Sequence, residues 1–349
     1  MTIEALVSKA KREGASDIHL VAGLPPKCRR DGRLANLEED ILTDSDLELL
    51  AREIAGSRYD EIKHIGEIDL ALTVAGERVR VNLFRQQGSV SAALRILSSR
   101  IPKLSELGLP SAVSEFPSYR KGIVLVTGET GSGKSTTLAA VLDQINHTAE
   151  KHIITLEDPI EYIYRPDKCV INQREIGKDT ESYAHGLRAI LREDPDVILI
   201  GEMRDVETIE TALIAAETGH LVFTTLHTNS APDSIDRIVG VFPAERQQQI
   251  RMQLSTTLKA VLTQQLIVRK GGVGRAAACE VMVVTPAIRN LIREGKTPQM
   301  VSSMLSSASE GSVTMDNCLV KMVRDGIIAP QTAHDAAFDK AYIKKYFTV

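Results

Sequence analysis

Aromatic side chains are scarce in this chain of 349 residues: they make up 4% of it, and tryptophan is absent. A surface that stacks nucleic-acid bases needs exposed aromatic rings, so the composition argues against one. The 42 lysine and arginine residues are outnumbered by 46 aspartate and glutamate residues, which gives a net charge of -4. General nucleic-acid binders are usually basic. We therefore expect no nucleic acid among the partners of this protein.

Closely spaced cysteines are lacking as well. The four cysteines are Cys28, Cys169, Cys279 and Cys318, and no two of them form a CxxC motif. The spacing gives no sign of a zinc ribbon or of a dithiol redox centre, so reduced cytoplasmic thiols are the default expectation.

Long hydrophobic runs are also missing. No stretch approaches the roughly 18 apolar residues that indicate a transmembrane helix. Residues 1–20 mix charged and apolar side chains and lack the apolar centre of a signal peptide. The sequence predicts a cytoplasmic protein without direct membrane insertion. Any role at a membrane would come through a partner protein.

The first hundred residues have the pattern of an α+β domain. Apolar and polar residues alternate over 67–96 in three runs separated by glycines, which predicts an antiparallel meander. Shorter strand-like segments occupy 17–20 and 26–32, and Asp31-Gly32 predicts a hairpin turn in the second of them.

Two helices are predicted in the same region. One opens the chain, and the other spans residues 44–56 with Asp44 near its N-cap. The residues expected on the apolar face of the first helix are Ile3, Leu6, Val7 and Ala10.

The remainder of the chain has the pattern of an α/β domain. From Gly122 onward, apolar strands alternate with helical segments, which is typical of a parallel sheet. The predicted strands are 123–126, 153–156, 197–200 and 221–225. Residues 244–265 and 286–349 are predicted to be mostly helical.

The length of the chain and a proline-rich segment at 100–119 predict two domains. We expect the N-terminal domain at 1–100, an interdomain linker at 101–118 and the second domain at 119–349, with a mainly helical C-terminal part.

The strongest chemical signal lies between a predicted strand and a helix expected over 136–145. The segment GETGSGKS at 128–135 satisfies the P-loop pattern GxxxxGK[ST]. Its backbone N–H groups can surround phosphate oxygens, and the start of the helix adds partial positive charge. In this pattern Lys134 reaches the β- and γ-phosphates, and Ser135 is a ligand of Mg²⁺. The residues predicted to bind ATP and Mg²⁺ are Gly128, Thr130, Gly131, Ser132, Gly133, Lys134, Ser135 and Thr136.

Acidic residues follow two of the predicted strands. The segment LEDPIE at 156–161 lies where α/β sheets hold ligands, and a carboxylate there can act as a general base for an attacking water. The apolar run 197–200 precedes Gly201 and Glu202, which resembles a Walker B strand, although many P-loop ATPases have aspartate where Gly201 stands. Glu202 is predicted to hold Mg²⁺ through its water shell. The alternatives are a solvated acidic turn and a core strand with a polar end.

Two histidines, His220 and His227, flank one predicted strand. A single histidine is usually structural. A pair that flanks a strand of a nucleotide-binding sheet instead suggests a sensor and relay for the γ-phosphate.

Taken together, these segments resemble the secretion-superfamily hexameric ATPases, most closely their type IV pilus retraction members. The resemblance covers about residues 1–335 and rests on GASDIHL at 14–20, ITLEDPIEY at 154–162, LREDPDVILIGEMRD at 191–205, TGHLVFTTLHT at 218–228 and AIRNLIRE at 287–294. Two positions depart from the family pattern: Thr224 stands where relatives often have glycine, and Glu129 where they often have proline.

The resemblance implies a PAS-like N-terminal domain and a RecA-like P-loop ATPase domain in a homohexamer. ATP would lie between the two domains of one subunit, and the N-terminal domain would close over it. Arg80 and Arg95 match the arginines that this domain supplies. A guanidinium group neutralises charge on a transferred phosphoryl group, and its placement on a mobile domain makes hydrolysis depend on closure. Without the resemblance, both would read as exposed strand arginines.

The resemblance also implies roles for three further parts of the sequence. A glutamate of the acidic segment would activate water, with Glu161 as first choice and Glu157 as second. His227 would sense the γ-phosphate. AIRNLIRE would couple the ring to an inner-membrane pilus platform protein. Its ordinary reading is an amphipathic helix with Ile288, Leu291 and Ile292 facing inward and Arg289 and Arg293 facing outward.

The function predicted from the sequence is that of a cytoplasmic motor, associated peripherally with the inner membrane through the pilus machinery. It would hydrolyse ATP to ADP and phosphate to power pilus retraction and twitching motility. One alternative is an accessory retraction ATPase, and such a paralogue could also be a partner. Pilus extension and type II secretion ATPases usually have longer N-terminal regions and a four-cysteine metal site, and this sequence shows neither. The last alternative is a ring subunit that binds ATP without turning it over.

Overall fold

The computed structural model of this chain describes residues 1–30, 33–97 and 100–348. They divide into two units. The first contains Met1–Ile101 together with Pro159–Ile163, and the second contains Pro102–Asp158 and Tyr164–Val349. A short segment from the middle of the chain therefore belongs to the unit that the N-terminal residues build.

The first unit is built on an antiparallel sheet. Its described strands are β1 (Asp17–Leu20), β2 (Lys27–Arg30), β3 (Arg33–Asn36), β4 (Glu67–Val74), β5 (Glu77–Gln86) and β6 (Ser89–Ile96). They pair in the order β3-β2-β1-β6-β5-β4. The antiparallel pairing of β4, β5 and β6 confirms the predicted meander. The strands β2 and β3 also pair antiparallel, but the turn predicted at Asp31-Gly32 lies outside the described residues.

The two faces of this sheet differ in polarity. Successive side chains of a strand point to opposite faces. Along β5, Val79, Val81 and Leu83 are fully buried in a hydrophobic core, whereas Arg80 between them is exposed. One face therefore carries the core of the unit, and the other carries polar side chains.

Three helices contribute to that core: α1 (Ile3–Arg12), α2 (Asp44–Ala55) and α3 (Tyr59–Ile65). The buried residues of α1 are the four that its spacing predicted. The N-cap of α2 is Thr43, one residue before Asp44, and its side chain accepts a hydrogen bond from the N–H of Asp46. The carboxylate of Asp46 in turn accepts from the N–H of Thr43, which completes a capping box.

The second unit is built on a mainly parallel sheet. Its described strands are β7 (Gly122–Thr127), β8 (His152–Glu157), β9 (Val170–Glu175), β10 (Val197–Ile200), β11 (Leu221–Leu226), β12 (Leu258–Val268) and β13 (Arg275–Val283). They pair in the order β13-β12-β7-β11-β10-β8-β9. The four strands predicted from apolar runs, β7, β8, β10 and β11, are parallel as expected.

Three strands of this sheet were not predicted. The expected helix over 244–265 ends at Thr257, and β12 follows directly. This prediction was wrong because the segment LKAVLTQQLIV fills the space beside β7, where its backbone pairs on both sides and most of its residues are buried. Tertiary pairing of this kind overrides local helical tendency. The strands β9 and β13 lie at the two outer positions of the sheet.

Helices surround the parallel sheet. The described ones are α4 (Lys134–Thr148), α5 (Tyr183–Ile190), α6 (Val206–Glu217), α7 (Ala231–Gly240), α8 (Ala244–Thr257), α9 (Pro286–Glu294), α10 (Met300–Ser306), α11 (Met315–Arg324), α12 (Pro330–Ala336) and α13 (Lys340–Lys344). The last five confirm the helical C-terminal part. Among all helices of residues 1–30, 33–97 and 100–348, none combines the length and the apolar character needed to cross a bilayer.

Candidate functional site

The parallel sheet brings the predicted chemical segments to one edge. The strands β7, β11, β10 and β8 are neighbours and run in the same direction, so their carboxyl ends lie side by side. The P-loop follows β7, Glu157 ends β8, Glu202 follows β10 and His227 follows β11. This edge is where ligands of parallel α/β sheets bind.

His220 lies elsewhere. It precedes β11, so it is at the amino end of the strand and on the opposite edge of the sheet from His227. Its Nδ1 atom is 2.8 Å from the carbonyl oxygen of Ala215, at the end of α6. The structure therefore does not bring the two histidines together, and His220 lies apart from the P-loop edge because the strand between them is six residues long.

Two glycines of the P-loop are required by its geometry. Gly128 has φ = 135°, and a Cβ atom there would lie 2.3 Å from the carbonyl oxygen of Gln264. Gly133 has φ = 93°, and a Cβ atom there would lie 2.6 Å from Nε2 of Gln264. Both conformations disfavour a side chain, and both positions lack room for one. The loop can therefore turn tightly against β12.

The side chain of Gln264 supports the P-loop through two hydrogen bonds. It is buried on β12, donates from Nε2 to the carbonyl oxygen of Ser132 at 2.8 Å and accepts from the hydroxyl of Thr137 at 2.8 Å. It thereby joins the loop to the first turns of α4. The sequence analysis missed this residue because it assigned the segment to a helix. The signal that could have found it is a polar residue within an apolar, β-branched run.

Lys134 and Ser132 of the P-loop both place polar side-chain atoms in the buried part of the loop. The Nζ atom of Lys134 is buried in the loop and donates to the carbonyl oxygens of Gly128 at 2.7 Å and Glu129 at 2.9 Å. The hydroxyl of Ser132 is buried and has no hydrogen-bond partner. A buried hydroxyl without a partner, beside the ammonium group of Lys134 in the same loop, fits an anionic ligand.

The tip and the end of the P-loop are more open. Thr130 and Gly131 are exposed at the tip, and Ser135 and Thr136 lie in the first turn of α4, where Ser135 is exposed. Among the described residues, no group of three or more His, Cys, Asp or Glu side chains could hold a metal ion. Mg²⁺ is usually held by one or two protein oxygens together with substrate phosphates. The hydroxyl of Ser135 and the carboxylate of Glu202 are oxygen donors of that kind.

Glu202 lies in a cluster of charges at the same edge. Its carboxylate is 2.6 Å from Nη2 of Arg204 and 3.4 Å from Nε2 of His227. Burial alone would raise the pKa of Glu202, but the hydrogen bond from Arg204 and the charge of His227 together lower it. Glu202 is therefore a carboxylate at neutral pH, as an Mg²⁺ ligand must be. The sequence analysis predicted Glu202 and His227 as site residues but gave no sign that Arg204 belongs to the same cluster.

Glu157 is held in place by two side chains. Its Oε1 atom accepts from the hydroxyl of Thr155 at 2.6 Å and from Nε2 of Gln173 at 3.2 Å. The hydroxyl of Tyr183 lies close by. Burial raises the pKa of Tyr183, and the negative charges of Asp158, Glu157 and Glu202 raise it further, so it stays protonated. Tyr183 therefore offers a neutral hydroxyl to this acidic edge, and the sequence analysis did not identify it.

The other predicted residues belong to the first unit. Glu161 lies in the Pro159–Ile163 segment, so the two candidate bases are in different units. Arg80 and Arg95 stand directly opposite each other on β5 and β6, and both are exposed. Arg95 also pairs with Asp17 at 3.0 Å. The carboxylate of Asp17 therefore offsets part of the repulsion between the two like charges at these paired positions.

Arg78 is a further arginine on the same face of β5. It is buried, and its Nε atom donates to the carbonyl oxygen of Ile160 at 2.9 Å. It ties the segment that contains Glu161 to the sheet of the first unit. This arginine precedes Arg80 by two residues, which is the spacing of side chains on one face of a strand.

The AIRNLIRE segment forms α9. Ile288 and Ile292 are fully buried and Leu291 is half-buried, which confirms the inward face of the amphipathic helix. Arg293 is exposed, as predicted. Arg289 is less accessible than the predicted outward position implies, since the residue is only partly exposed and its Nε atom is buried without a hydrogen-bond partner. The charge of Arg289 also affects Lys259. Burial is the main cause that lowers the pKa of Lys259, and the positive charges of Arg289 and Lys121 lower it further.

Comparison with known proteins identifies relatives that match nearly the whole chain. The family model described as "Type II/IV secretion system protein" matches residues 1–333. The type IV pilus retraction ATPase PilT of Pseudomonas aeruginosa is 47% identical over 339 residues, which is 97% of this chain and 98% of that protein. The type IV pilus ATPase PilU of the same organism is 37% identical over 335 residues. That match covers 95% of this chain and 88% of PilU.

A solved structure shows the same fold. The crystal structure of the pilus retraction motor PilT with bound ADP has a TM-score of 0.92 and 46% sequence identity, and the match covers 99% of both chains. Such agreement over nearly the whole length extends to both units of the chain. This protein belongs to the type II/IV secretion system protein family.

Proposed function

We propose that this protein is the ATP-hydrolysing motor of type IV pilus retraction, and hence of twitching motility. The observation that carries the proposal is the shared edge of the parallel sheet, where the P-loop, Glu202 and His227 follow neighbouring strands. The similarity to a retraction ATPase over 97% of the chain supports the same assignment.

The proposed architecture has two domains and a linker. The first, PAS-like domain spans 1–100, the linker spans 101–118, and the RecA-like ATPase domain spans 119–349. The antiparallel sheet with helices on one face supports the first assignment, and the P-loop after a parallel strand supports the second. Six copies would form a ring.

ATP would bind with its phosphates in the P-loop. The buried ammonium group of Lys134 and the N–H groups of the loop would neutralise the β- and γ-phosphates. Mg²⁺ would be held by the hydroxyl of Ser135 and, through water, by Glu202, and it would supply charge neutralisation between the phosphates. His227 lies beside Glu202 and would report the loss of the γ-phosphate through that contact.

A glutamate would orient and deprotonate the attacking water. Glu161 is the first choice and Glu157 the second. The hydrogen bonds from Thr155 and Gln173 fix Glu157 in place but also occupy its Oε1 atom. The two candidates can be separated by comparing Glu161→Gln with Glu157→Gln. Loss of the general base should lower the rate of hydrolysis by about 10²–10⁴-fold in only one of them.

The exposed pair of Arg80 and Arg95 would deliver positive charge to the phosphates when the two domains close on ATP. Charge develops on the transferred phosphoryl group late in the reaction, so these guanidinium groups would act mainly in the transition state. Closure and reopening around the ring would move an inner-membrane pilus platform protein. The motor would work in the cytoplasm, at the pilus machinery, with a paralogous retraction ATPase as a further partner.

The enzymatic part of the proposal is tested by ATP hydrolysis of the full chain. The wild type should hydrolyse ATP, and Lys134→Ala and Glu202→Ala should each lower the rate by about 100-fold or more. Glu150→Ala is a matched control, since Glu150 is exposed before β8 at the other end of the sheet. If the wild type and both variants show the same negligible turnover, the protein is not a motor.

The direction of the motor is tested in cells. A strain that lacks this protein should carry pili and fail to twitch, whereas loss of an extension ATPase would leave cells without pili. The second candidate function is that of an accessory retraction ATPase, because PilU matches 95% of this chain at lower identity. In that case the deletion strain would still twitch.

A further inference from the structure

A cavity of about 420 Å³ adjoins the P-loop within the second unit. One wall is the loop itself, residues 129–132. The opposite wall includes Leu266 from β12, Arg275 from β13 and Phe338 from the segment between α12 and α13. Its volume lies in the range of small-molecule sites, roughly 300–1,000 Å³. The chemistry proposed above uses the P-loop wall for the phosphates and assigns no role to the wall that contains Leu266, Arg275 and Phe338.

The strand order shows which part of a nucleotide the cavity would receive. The P-loop follows β7. On one side of β7 lie β11, β10 and β8, which bring His227, Glu202 and Glu157 to the sheet edge. On the other side lie β12 and β13, which line the cavity. If the γ-phosphate points towards the acidic side, the nucleoside extends from the α-phosphate towards the opposite side, where the cavity is.

Phe338 is unusual among the side chains of the cavity. The chain contains six phenylalanines and no tryptophan, and Phe338 is one of its exposed large hydrophobic residues, with 48% of its surface accessible. An aromatic ring that remains half-exposed beside a phosphate-binding loop has accessible surface against which another planar group can pack. Stacking on such a ring stabilises a base of any identity, because every base has a π-face.

The backbone around Phe338 is fixed by one carboxylate. The N–H of Phe338 donates to Oδ1 of Asp316 at 2.9 Å, and the N–H of Asp339 donates to Oδ2 of Asp316 at 3.1 Å. Asp316 lies in the first turn of α11, which is packed in the core of the unit. The two hydrogen bonds therefore hold the segment, and with it the ring of Phe338, at the cavity wall.

We propose that Phe338 is the stacking platform for the base of the bound nucleotide and that Asp316 is its positioning residue. This inference rests on the proposed ATPase function and assigns the nucleoside side of the same site. The C-terminal segment then has a direct part in nucleotide binding. In the sequence this segment matched no motif.

The experiment compares two ligands on the full-length protein by calorimetry: ATP, and inorganic tripolyphosphate, which has the phosphates but no base. Phe338→Ala should weaken ATP binding by about tenfold. Binding of tripolyphosphate should not change, and Phe338→Tyr should bind ATP as the wild type does. Tyr346→Ala is the matched control, because Tyr346 is an exposed aromatic of the same C-terminal region that does not line the cavity.

The role of Asp316 needs a measurement that a merely structural role would not affect. Asp316→Ala should weaken ATP binding to a similar degree as Phe338→Ala, with tripolyphosphate binding unchanged. The double variant should then lose little more than either single variant, because both changes remove the same contact. In hydrolysis, both should raise KM and leave kcat nearly unchanged, since the groups around the γ-phosphate remain in place.

Three results would overturn the inference. The first is equal ATP affinity in the wild type and Phe338→Ala, and the second is an equal loss for ATP and tripolyphosphate. In the third, the losses of the two single variants add in full, which would reject the role of Asp316. Each of these can occur while the wild type hydrolyses ATP, in which case the proposed ATPase function stands.

Discussion

The two sheets of this protein present functional residues in different ways. The antiparallel sheet of the first unit buries one face against α1, α2 and α3 and leaves the other polar, so Arg80 and Arg95 can be exposed in the middle of strands. The central strands of the parallel sheet are buried throughout, as in β10, where all four residues are buried. The predicted site residues of this sheet therefore lie at or just beyond the strand ends, as Glu157 and Glu202 do. The first unit therefore presents its predicted site residues on one face of its sheet, and the second unit presents them along one edge of its sheet.

The largest effect is expected when a side chain is removed from the polar face of the antiparallel sheet. Arg80→Ala should lower the rate of ATP hydrolysis by about 10³-fold or more, as removal of an arginine finger does. Nucleotide affinity should change far less, because the charge that Arg80 neutralises develops in the transition state. Steady-state hydrolysis and nucleotide titration measure the two effects separately.

The control for Arg80 is Asn82→Ala, two residues further along the same face of β5. It should keep a rate close to that of the wild type. If Arg80→Ala weakened nucleotide binding as much as hydrolysis, or if Asn82→Ala hydrolysed ATP as slowly as Arg80→Ala, the polar face of the antiparallel sheet would have no specific catalytic role.

Core substitutions should show the second difference between the sheets. In β7, the successive residues Val124 and Leu125 are both fully buried. Leu125→Ala should lower the free energy of unfolding by about 2–5 kcal/mol, and Val124→Ala should also destabilise the protein. In β5, Val81→Ala should destabilise the protein, whereas Arg80→Ala, at the exposed residue that precedes it, should leave the free energy of unfolding nearly unchanged. Denaturant unfolding of each variant tests this, and a stable Val124→Ala variant would contradict the two-sided burial of β7.

These burial patterns explain how much of the fold could be read from the sequence. Alternation over 67–96 and continuous apolar runs before the P-loop and Glu202 predicted both kinds of sheet, because local polarity follows burial. The strand β12 escaped prediction, since its place beside β7 is decided by pairing with distant residues. Gln264 and Tyr183 were missed for a related reason: their roles depend on neighbours that only the fold brings near them.

The support of the P-loop by β12 gives a third prediction. Gln264→Leu keeps a similar volume but removes both hydrogen bonds of the amide, to Ser132 and Thr137. Loss of buried partners of this kind should cost about 1–3 kcal/mol. Because the loop is the affected part, ATP binding should weaken by roughly tenfold, as calorimetry can measure. Val268→Ala, at the exposed end of the same strand, is the control and should bind normally.

The smallest expected effect concerns Glu280, a buried carboxyl group on β13. It accepts hydrogen bonds from the N–H groups of Ala231, at the start of α7, and of Met315, at the start of α11. Burial raises the pKa of Glu280, and these two hydrogen bonds only partly oppose the rise. The folded protein therefore holds this proton more tightly than the unfolded chain does. The corresponding stabilisation is complete below the pKa of the unfolded chain and is lost as the pH rises through the raised pKa.

Glu280→Gln isolates this effect, because glutamine occupies a similar volume and does not titrate. The free energy of unfolding of the wild type should fall relative to that of Glu280→Gln as the pH rises from the ordinary glutamate pKa to the raised one. Above that interval the difference should be constant. Denaturant unfolding of both proteins at several pH values measures it. A difference that stays constant or changes in the opposite direction would mean that the hydrogen bonds outweigh burial and that this carboxylate is buried at no cost.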